Sequence, residues 1–554
     1  MKTKIVLPFA LLALSQVTMA QQPPTAGGQL QQIPPTPVAP RLAPEIRIEP
    51  RAAQAAPVAG EVKIVVDTLR VNGATVYPEA ELVSLTGFVP GAQLSLSDLQ
   101  AMAARITEQY RRNGYFVAQA FLPAQEIKDN AVTIAVSEGR YGQITLRNQS
   151  NLSDGLTRGT LAGLNSGDVI TLDPLESRLL LLSDLPGVVV KSTLVPGAAP
   201  GTSDLIVDVT PGRRVTGSID ADNAGNRYTG VYRVGATVNV NNPLGRGDVA
   251  SLRVLTSGDG LKYARLSYQM QVGKAQVGAA YSRLDYSLGK EFKSLQAHGT
   301  ADIASVYGRS PVVRSRRNNV TLQLAYDHKT FKDRVDATAS VTDRKSDVLM
   351  ATVYGDHRDN LGGGGLSAYS LTWWGGNLDI QTPAARAADA VTARTNGNFQ
   401  KLSFSAMRLQ SLGGPVSLYG AISGQLASKN LDISEKMELG GMNAVRAYPE
   451  GEAYADEGVV VNLEARLDLP PFGTLPGQVQ LAAFVDAGAV TLHKEPWVAG
   501  DNHRRLSGAG VGAVWSDPGN FMVRTYYARR LGHERALSAP DRSGRFWVQL
   551  VKYF

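Results

Sequence analysis

The chain has 554 residues, 43% of them apolar and 19% charged, with a formal net charge of only +7. That balance excludes disorder throughout and a nucleic-acid binder resting on a dense basic field. The lack of cysteine removes disulfide frameworks, thiolate nucleophiles and cysteine zinc sites, and 56 glycines in 554 residues point to many turns and sheet bends.

At the N-terminus, Lys2 and Lys4 precede an apolar stretch over 5–14, and small residues at Thr18 and Ala20 stand before Gln21. This is the layout of a secretory signal peptide over 1–20, the apolar stretch being too short for a retained anchor and broken by Pro8. No later window approaches 18 consecutive apolar residues, so an exported chain of this kind enters a membrane only as a closed barrel. Residues 21–60 contain nine prolines amid Gln and Ala. Proline removes donors and favours extended backbone, which predicts a linker in which only 29–33 is open to a short helix.

From 61 to 139 the pattern is that of a small α/β unit. Strands are expected at 62–66 and 68–71, then a short helix, then a helix over 97–112 whose Leu99, Met102, Ile106 and Tyr110 share one face. Ser97 with Gln100 reads as its capping box, and Asn113-Gly114 as its C-cap. Strands at 116–122 and 131–136 follow. A second, looser copy occupies 140–212, with strands at 144–146, 188–194 and 205–209 and helices at 156–164 and 174–183.

Beyond Arg213 alternation dominates for about 340 residues. Ala264, Leu266, Tyr268, Met270 and Val272 face one way while Arg265, Ser267, Gln269 and Gln271 face the other; Val320, Leu322, Leu324 and Tyr326 alternate in the same manner with polar neighbours. Alternation alone fits either a sandwich or a membrane barrel. Three features favour the barrel: the export signal, a run of strands too long for one ordinary sandwich, and a chain end at Phe554 after Phe546, Val548 and Leu550 on alternate positions, interrupted by Lys552. At about 21 residues per strand and connection, roughly sixteen strands are expected, enough to enclose an aqueous channel.

Specific motifs stand on this frame. They include Tyr-Arg-Arg-Asn-Gly-Tyr at 110–115, Leu-Pro-Ala-Gln at 122–125 and Val-Ser-Glu-Gly-Arg-Tyr at 136–141. Asp-Asn-Ala-Gly at 222–225 and Asn-Pro-Leu-Gly-Arg-Gly-Asp at 242–248 open the barrel region. Late in the chain come Gly-Gly-Met-Asn-Ala-Val-Arg-Ala-Tyr-Pro at 440–449, Asp-Glu-Gly at 456–458 and Phe-Val-Asp-Ala-Gly at 484–488. Over nearly its whole length the chain resembles the two-partner secretion transporters of the outer membrane, the haemolysin secretion/activation type, within the superfamily of barrel-assembly proteins.

The resemblance implies a mainly β fold: a transmembrane antiparallel β-barrel of about 16 strands over 213–554, preceded by two small α/β POTRA domains at 61–139 and 140–212. It also implies that a long sixth loop, around 440–458, folds back into the barrel. The loop motif falls on Val445, Arg446, Ala447 and Tyr448, with Ala447 where the family has glycine. The barrel-wall motif falls on Phe484, Asp486 and Gly488, and its aspartate pairs with the loop arginine; Phe554 is the C-terminal barrel signal. Arginine suits this place because its planar fork stays charged in a polar lumen and engages a carboxylate through two hydrogen bonds. Losing one partner would cost about 3–5 kcal/mol if the pair is buried and much less if it is wet. Gly488 is expected to let the loop backbone approach the wall.

Other motifs carry no chemistry. Gly508, Gly510 and Ala513 loosely fit a dinucleotide pattern but sit in a strand with no following helix. Asp220, Asp222 and Gly225 begin like a calcium loop whose twelfth position, Val231, is not glutamate. The six histidines lack metal-ligand spacing, and no Gly-x-Ser-x-Gly elbow occurs. The expectation is therefore a non-enzymatic pore without metal or cofactor, in the outer membrane of a Gram-negative bacterium with its POTRA domains in the periplasm. Its expected partners are one large secreted passenger protein, outer-membrane lipid and, during insertion, the barrel-assembly machinery; nucleic acid is not among them, and the chain is expected to be a monomer. A barrel-assembly insertase and a small-solute porin are the alternatives.

Overall fold

A computed structural model describes residues 23–38, 45–48, 62–471 and 473–554. The expected signal peptide, 1–20, lies outside the described residues.

The first small domain pairs Lys63–Val66 with Ala92–Ser95 and builds a second sheet from Thr68–Asn72, Ala131–Ser137 and Gln119–Phe121. Its long helix, Leu96–Arg112, buries Leu99, Met102, Ile106 and Tyr110, the stripe that their spacings of three and four require. The capping box differs from the expected one: Ser95, not Ser97, is the N-cap, and its hydroxyl accepts from the Asp98 amide while Asp98 accepts from the Ser95 amide. The cap thus lies two residues earlier than expected, and the helix spans Leu96–Arg112 because Ser95 and Asp98 satisfy each other's free amides. It ends as expected, with Asn113 capping and Gly114 at φ +88, a conformation that costs glycine little. Beneath this helix the Glu138 carboxylate accepts from the Thr75 and Val76 amides at 2.6 and 2.7 Å, from the Thr75 hydroxyl and from the Tyr110 hydroxyl at 2.8 Å.

In the second domain the sheet order is Glu45–Ile48, Val188–Pro196, Thr202–Pro211, Arg140–Asn148, with helices Asp154–Leu161 and Leu172–Ser183. The edge strand comes from the stretch expected to be only a linker: Glu45–Ile48 lies parallel to Lys191–Leu194. This domain is tied to the barrel rim. Arg314 donates to both carboxylate oxygens of Asp184 at 2.7 and 2.9 Å, Arg316 meets Glu176 at 2.9 Å, and the Asn151 and Asn242 side chains bond at 2.7 Å.

From Val215 onward sixteen antiparallel strands close into a barrel. The first strand, Val215–Asp222, pairs with the last, Gly544–Tyr553, and Gly217 and Phe554 exchange backbone hydrogen bonds at 3.0 and 3.1 Å. The alternation has physical meaning here: Leu266, Leu322 and Leu324 are exposed on the outer surface, where the solvent is lipid, while their polar neighbours face the lumen. Lys552 lies on the outer face near the end of the chain and donates to the Asn520 side chain in the adjoining turn. A lysine at the membrane edge keeps its charge in the polar interface, so it does not break the apolar belt. No described helix is long and apolar enough to cross a membrane.

A six-residue helix, Ala26–Gln31, sits inside the barrel, three residues ahead of the expected 29–33. Gly27 and Gly28 are poor helix formers; the lumen imposes the conformation. The Ala26 amide donates to Asp333 at 2.8 Å, Thr229 donates to Gln29 at 2.7 Å, and Arg233 donates to the Gln32 carbonyl at 2.6 Å. A Cβ on Gly27 would lie 2.9 Å from that of Ser434.

Candidate functional site

The segment between strands Val416–Ala427 and Glu457–Asp468 folds back into the barrel. It forms a two-stranded ladder, Met437–Glu438 with Tyr454–Ala455, and then descends to a turn in which the Tyr448 amide donates to the Val445 carbonyl at 3.1 Å. At its tip is Arg446, 4% exposed. The alternation of strand Gln478–Thr491 turns Phe484, Asp486 and Gly488 towards it.

Arg446 and Asp486 meet through a complete fork: Nε donates to Oδ2 at 2.9 Å and Nη2 to Oδ1 at 2.7 Å, while the Arg446 backbone amide donates to Oδ2 at 3.1 Å. The remaining nitrogen, Nη1, donates to Glu464 at 2.7 Å, a second carboxylate absent from the motif reading. Glu464 also pairs with Arg466 at 2.7 Å, so two guanidinium and two carboxylate groups balance, as a buried charge cluster must. Alternation in Glu457–Asp468 signals Glu464, since Val460, Asn462, Glu464 and Arg466 share a face. Asn462 completes the arrangement, donating to Asp486 Oδ1 at 2.7 Å and to the Ala444 carbonyl at 2.8 Å.

The guanidinium lies 3.4 Å from the centroid of Phe484 and 5.0 Å from that of Tyr526, and the two rings meet edge to face at 5.7 Å. A cation held against an aromatic ring gains from its quadrupole. The Arg446 carbonyl accepts from the Trp547 indole at 2.7 Å, and the Tyr448 hydroxyl donates to the Glu534 carbonyl at 3.0 Å. Val445, Ala447 and Tyr448 are fully buried.

Glycines make the room. At Gly488 the nearest neighbour is a loop side chain, not the expected loop backbone: a Cβ there would lie 2.3 Å from Leu439 Cδ1, 3.3 Å from the Val459 carbonyl of the adjoining strand and 3.4 Å from Val445 Cγ2. The two glycines of the discarded dinucleotide pattern lie on the same inner wall. A Cβ on Gly508 would be 2.5 Å from Ala447 Cβ, and one on Gly510 would be 2.5 Å from Phe484 Cζ. Asp222 and Asp220, read and rejected as a calcium loop, instead hold Arg233 and Arg253, at 2.8 Å in each case. No group of residues able to hold a metal occurs among the described residues. Phe554 stands apart from this cluster, at the barrel seam.

Comparisons with known proteins agree with this geometry. Residues 201–514 match the family model of the haemolysin secretion/activation protein ShlB/FhaC/HecB, and residues 64–139 match the ShlB-type POTRA domain. The chain is 31% identical over 481 residues to the heme/hemopexin transporter protein HuxB of Haemophilus influenzae, covering 86% of this chain and 84% of that protein. It is 25% identical over 443 residues to the outer membrane transporter CdiB of Dickeya dadantii, covering 77% and 76% respectively. Among solved structures, CdiB from Escherichia coli superposes with a TM-score of 0.68 at 21% identity, covering 91% of this chain and 93% of that one.

Proposed function

Because this chain belongs to the haemolysin secretion/activation family ShlB/FhaC/HecB, outer-membrane transporters that move a partner protein in two-partner secretion, we propose that it is a monomeric, passive pore. On this reading it takes one large passenger, unfolded, from the periplasm to the cell surface. The observation that carries the reading is the loop lock: Arg446 is held by Asp486 through two side-chain bonds and one backbone bond, inside a closed barrel. Such a lock fixes the loop inside the lumen, so that a chain passing through has the remaining space only once the helix Ala26–Gln31 has moved.

The two small domains supply the dock. An extended segment of any sequence can join an exposed sheet edge through main-chain hydrogen bonds. The Val188–Pro196 edge already accepts one such segment, Glu45–Ile48, from the chain itself. A passenger strand arriving there would compete with it. Without nucleotide chemistry, the drive comes from folding of the passenger outside, which prevents its return. Lipid surrounds the outer belt, and the barrel-assembly machinery inserts the barrel.

Depletion of the chain tests the reading. One large protein should vanish from the cell surface while other outer-membrane barrels assemble normally; a general loss of barrels would instead support an insertase. Retention of every surface protein with loss of small-solute uptake would support a porin.

A further inference from the structure

The lumen wall is not chemically uniform. Most of it carries charge: the Asp220–Arg253 pair on the first and third barrel strands, Arg265 on the fourth, and Glu464 with Arg466 beside the lock. One sector differs. In strand Gly365–Ile380 the even-numbered residues face the lumen, and none is charged; the odd-numbered Tyr369, Leu371 and Trp373 are exposed outside. In strand Val416–Ala427 the odd-numbered residues face inward, again without a charge. Between them, strand Gly397–Ser411 presents a single inward charge, Lys401, which is bound to Glu435 at 3.1 Å.

What this sector presents instead is hydroxyl groups in register. Thr352 pairs with Thr372, and Thr372 with Ser403; one rung further, Ser370 pairs with Ser405 and Ser405 with Ser423. Thr352 and Thr372 share a hydrogen bond of 3.0 Å, and Ser370 and Ser405 one of 2.8 Å. Each hydroxyl can both donate and accept, so the surface meets a peptide backbone at any register and exchanges it for water with little change in free energy.

The wall already faces an extended chain. A cavity of about 430 Å³ separates Ser370, Thr372, Ser403, Ser405 and Ser423 from the end of the lumenal helix at Gln31 and its non-helical tail, residues 32–35, and from the inner flank of the folded-back loop. Pro34 and Pro35 hold that tail extended.

We propose that this hydroxyl-lined sector, strands Gly365–Ile380 to Val416–Ala427, is the track along which the passenger slides, as an extended polypeptide taking the place of residues 32–35. It rests on the reading of the chain as a protein-exporting pore. A charged wall would hold oppositely charged stretches of a passenger and repel like ones, whereas neutral hydroxyls treat all stretches nearly alike. Elsewhere in the lumen, Asp220 with Arg253 and Glu464 with Arg466 are already committed to ion pairs.

The native chain contains no cysteine, so single-cysteine variants are clean probes. Thr372→Cys, Ser403→Cys, Ser423→Cys and, on the opposite wall, Ser267→Cys would each be expressed as the full chain with a passenger carrying one cysteine and stalled by a tightly folded fusion at its C-terminal end. We expect disulfide adducts at positions 372, 403 and 423 to exceed those at 267 by at least fivefold. Equal adducts, or an excess at 267, would overturn the track while leaving export itself intact. Failure of the unstalled passenger to reach the surface through the unaltered chain would instead refute the transport reading. In a second measurement, Ser405→Asp together with Ser423→Asp should slow export of a positively charged passenger segment about tenfold relative to a neutral one, with the barrel still inserted. An equal rate for both segments would also overturn the proposal.

Discussion

Ala447 and Gly508 are packed face to face: the Ala447 methyl occupies the space that a side chain at 508 would need, and a Cβ there would stand 2.5 Å from it. The family hallmark has glycine where this chain has Ala447, and the wall glycine offsets the added methyl. Ala447 also has no positive φ, so the turn does not demand glycine. Gly508→Ala should therefore overpack the loop tip, at about 1–3 kcal/mol, and lower export. Adding Ala447→Gly should restore it. Passenger appearance at the surface, with barrel folding followed by heat-modifiable mobility, checks both; failure of the second change to rescue would contradict the packing relation.

Glu464 and Asp486 share Arg446 unequally. Asp486 accepts three hydrogen bonds from Arg446 and one from Asn462, whereas Glu464 accepts a single one from Arg446. Glu464→Gln keeps the acceptor and removes a charge that Arg466 also screens, so it should cost about 1–2 kcal/mol, against about 3–5 kcal/mol for Asp486→Ala, which strands a buried guanidinium. Thermal unfolding of the two variants in detergent should separate them in that order.

Gly27 touches Ser434, and a side chain at 27 has no space. Gly27→Leu should expel the lumenal helix and raise the conductance of the pore in planar bilayers severalfold, while the sixteen strands stay closed. Unchanged conductance would mean that the helix does not obstruct the lumen.

The first small domain should be acid-sensitive through Glu138. Burial raises the pKa of its carboxyl, but hydrogen bonds from Thr75, Val76 and Tyr110 outweigh burial and hold it below the ordinary value; burial and Glu138 together push the Tyr110 phenol up. A carboxyl depressed in the folded state stabilises it above the unfolded pKa of about 4.3 and loses that contribution as pH falls through the folded value. Protection of the Thr75 and Val76 amides against hydrogen exchange, relative to the free-peptide rate at the same pH, should fall as pH drops through the lowered Glu138 value in the native chain, and in Glu138→Gln it should be low without that dependence.

The barrel strands were legible in the sequence through period-two alternation, which by itself left sandwich and barrel open; the export signal, the length of the run and the resemblance chose the barrel, and the resemblance alone put Arg446 opposite Asp486. Other features depend on partners remote in sequence. The helix Ala26–Gln31 contains two glycines and is held by Asp333, Thr229 and Arg233, so no local propensity announces it. Strand Glu45–Ile48 is four residues long and exists through its pairing with Lys191–Leu194. The glycines at 508 and 510 are legible as strand, but their purpose appears only when Ala447 and Phe484 stand opposite. Glu464 was within reach, since counting alternate positions from Asn462 turns it into the lumen.

The most direct test of the lock is export of the passenger by Arg446→Ala, Asp486→Ala and the double variant, measured as surface-exposed passenger per inserted barrel. Because each single change destroys the same bidentate contact, both should lower export to a similar degree and the double variant should be no worse than either alone. Undiminished export in both single variants, with the barrel correctly inserted, would contradict the account.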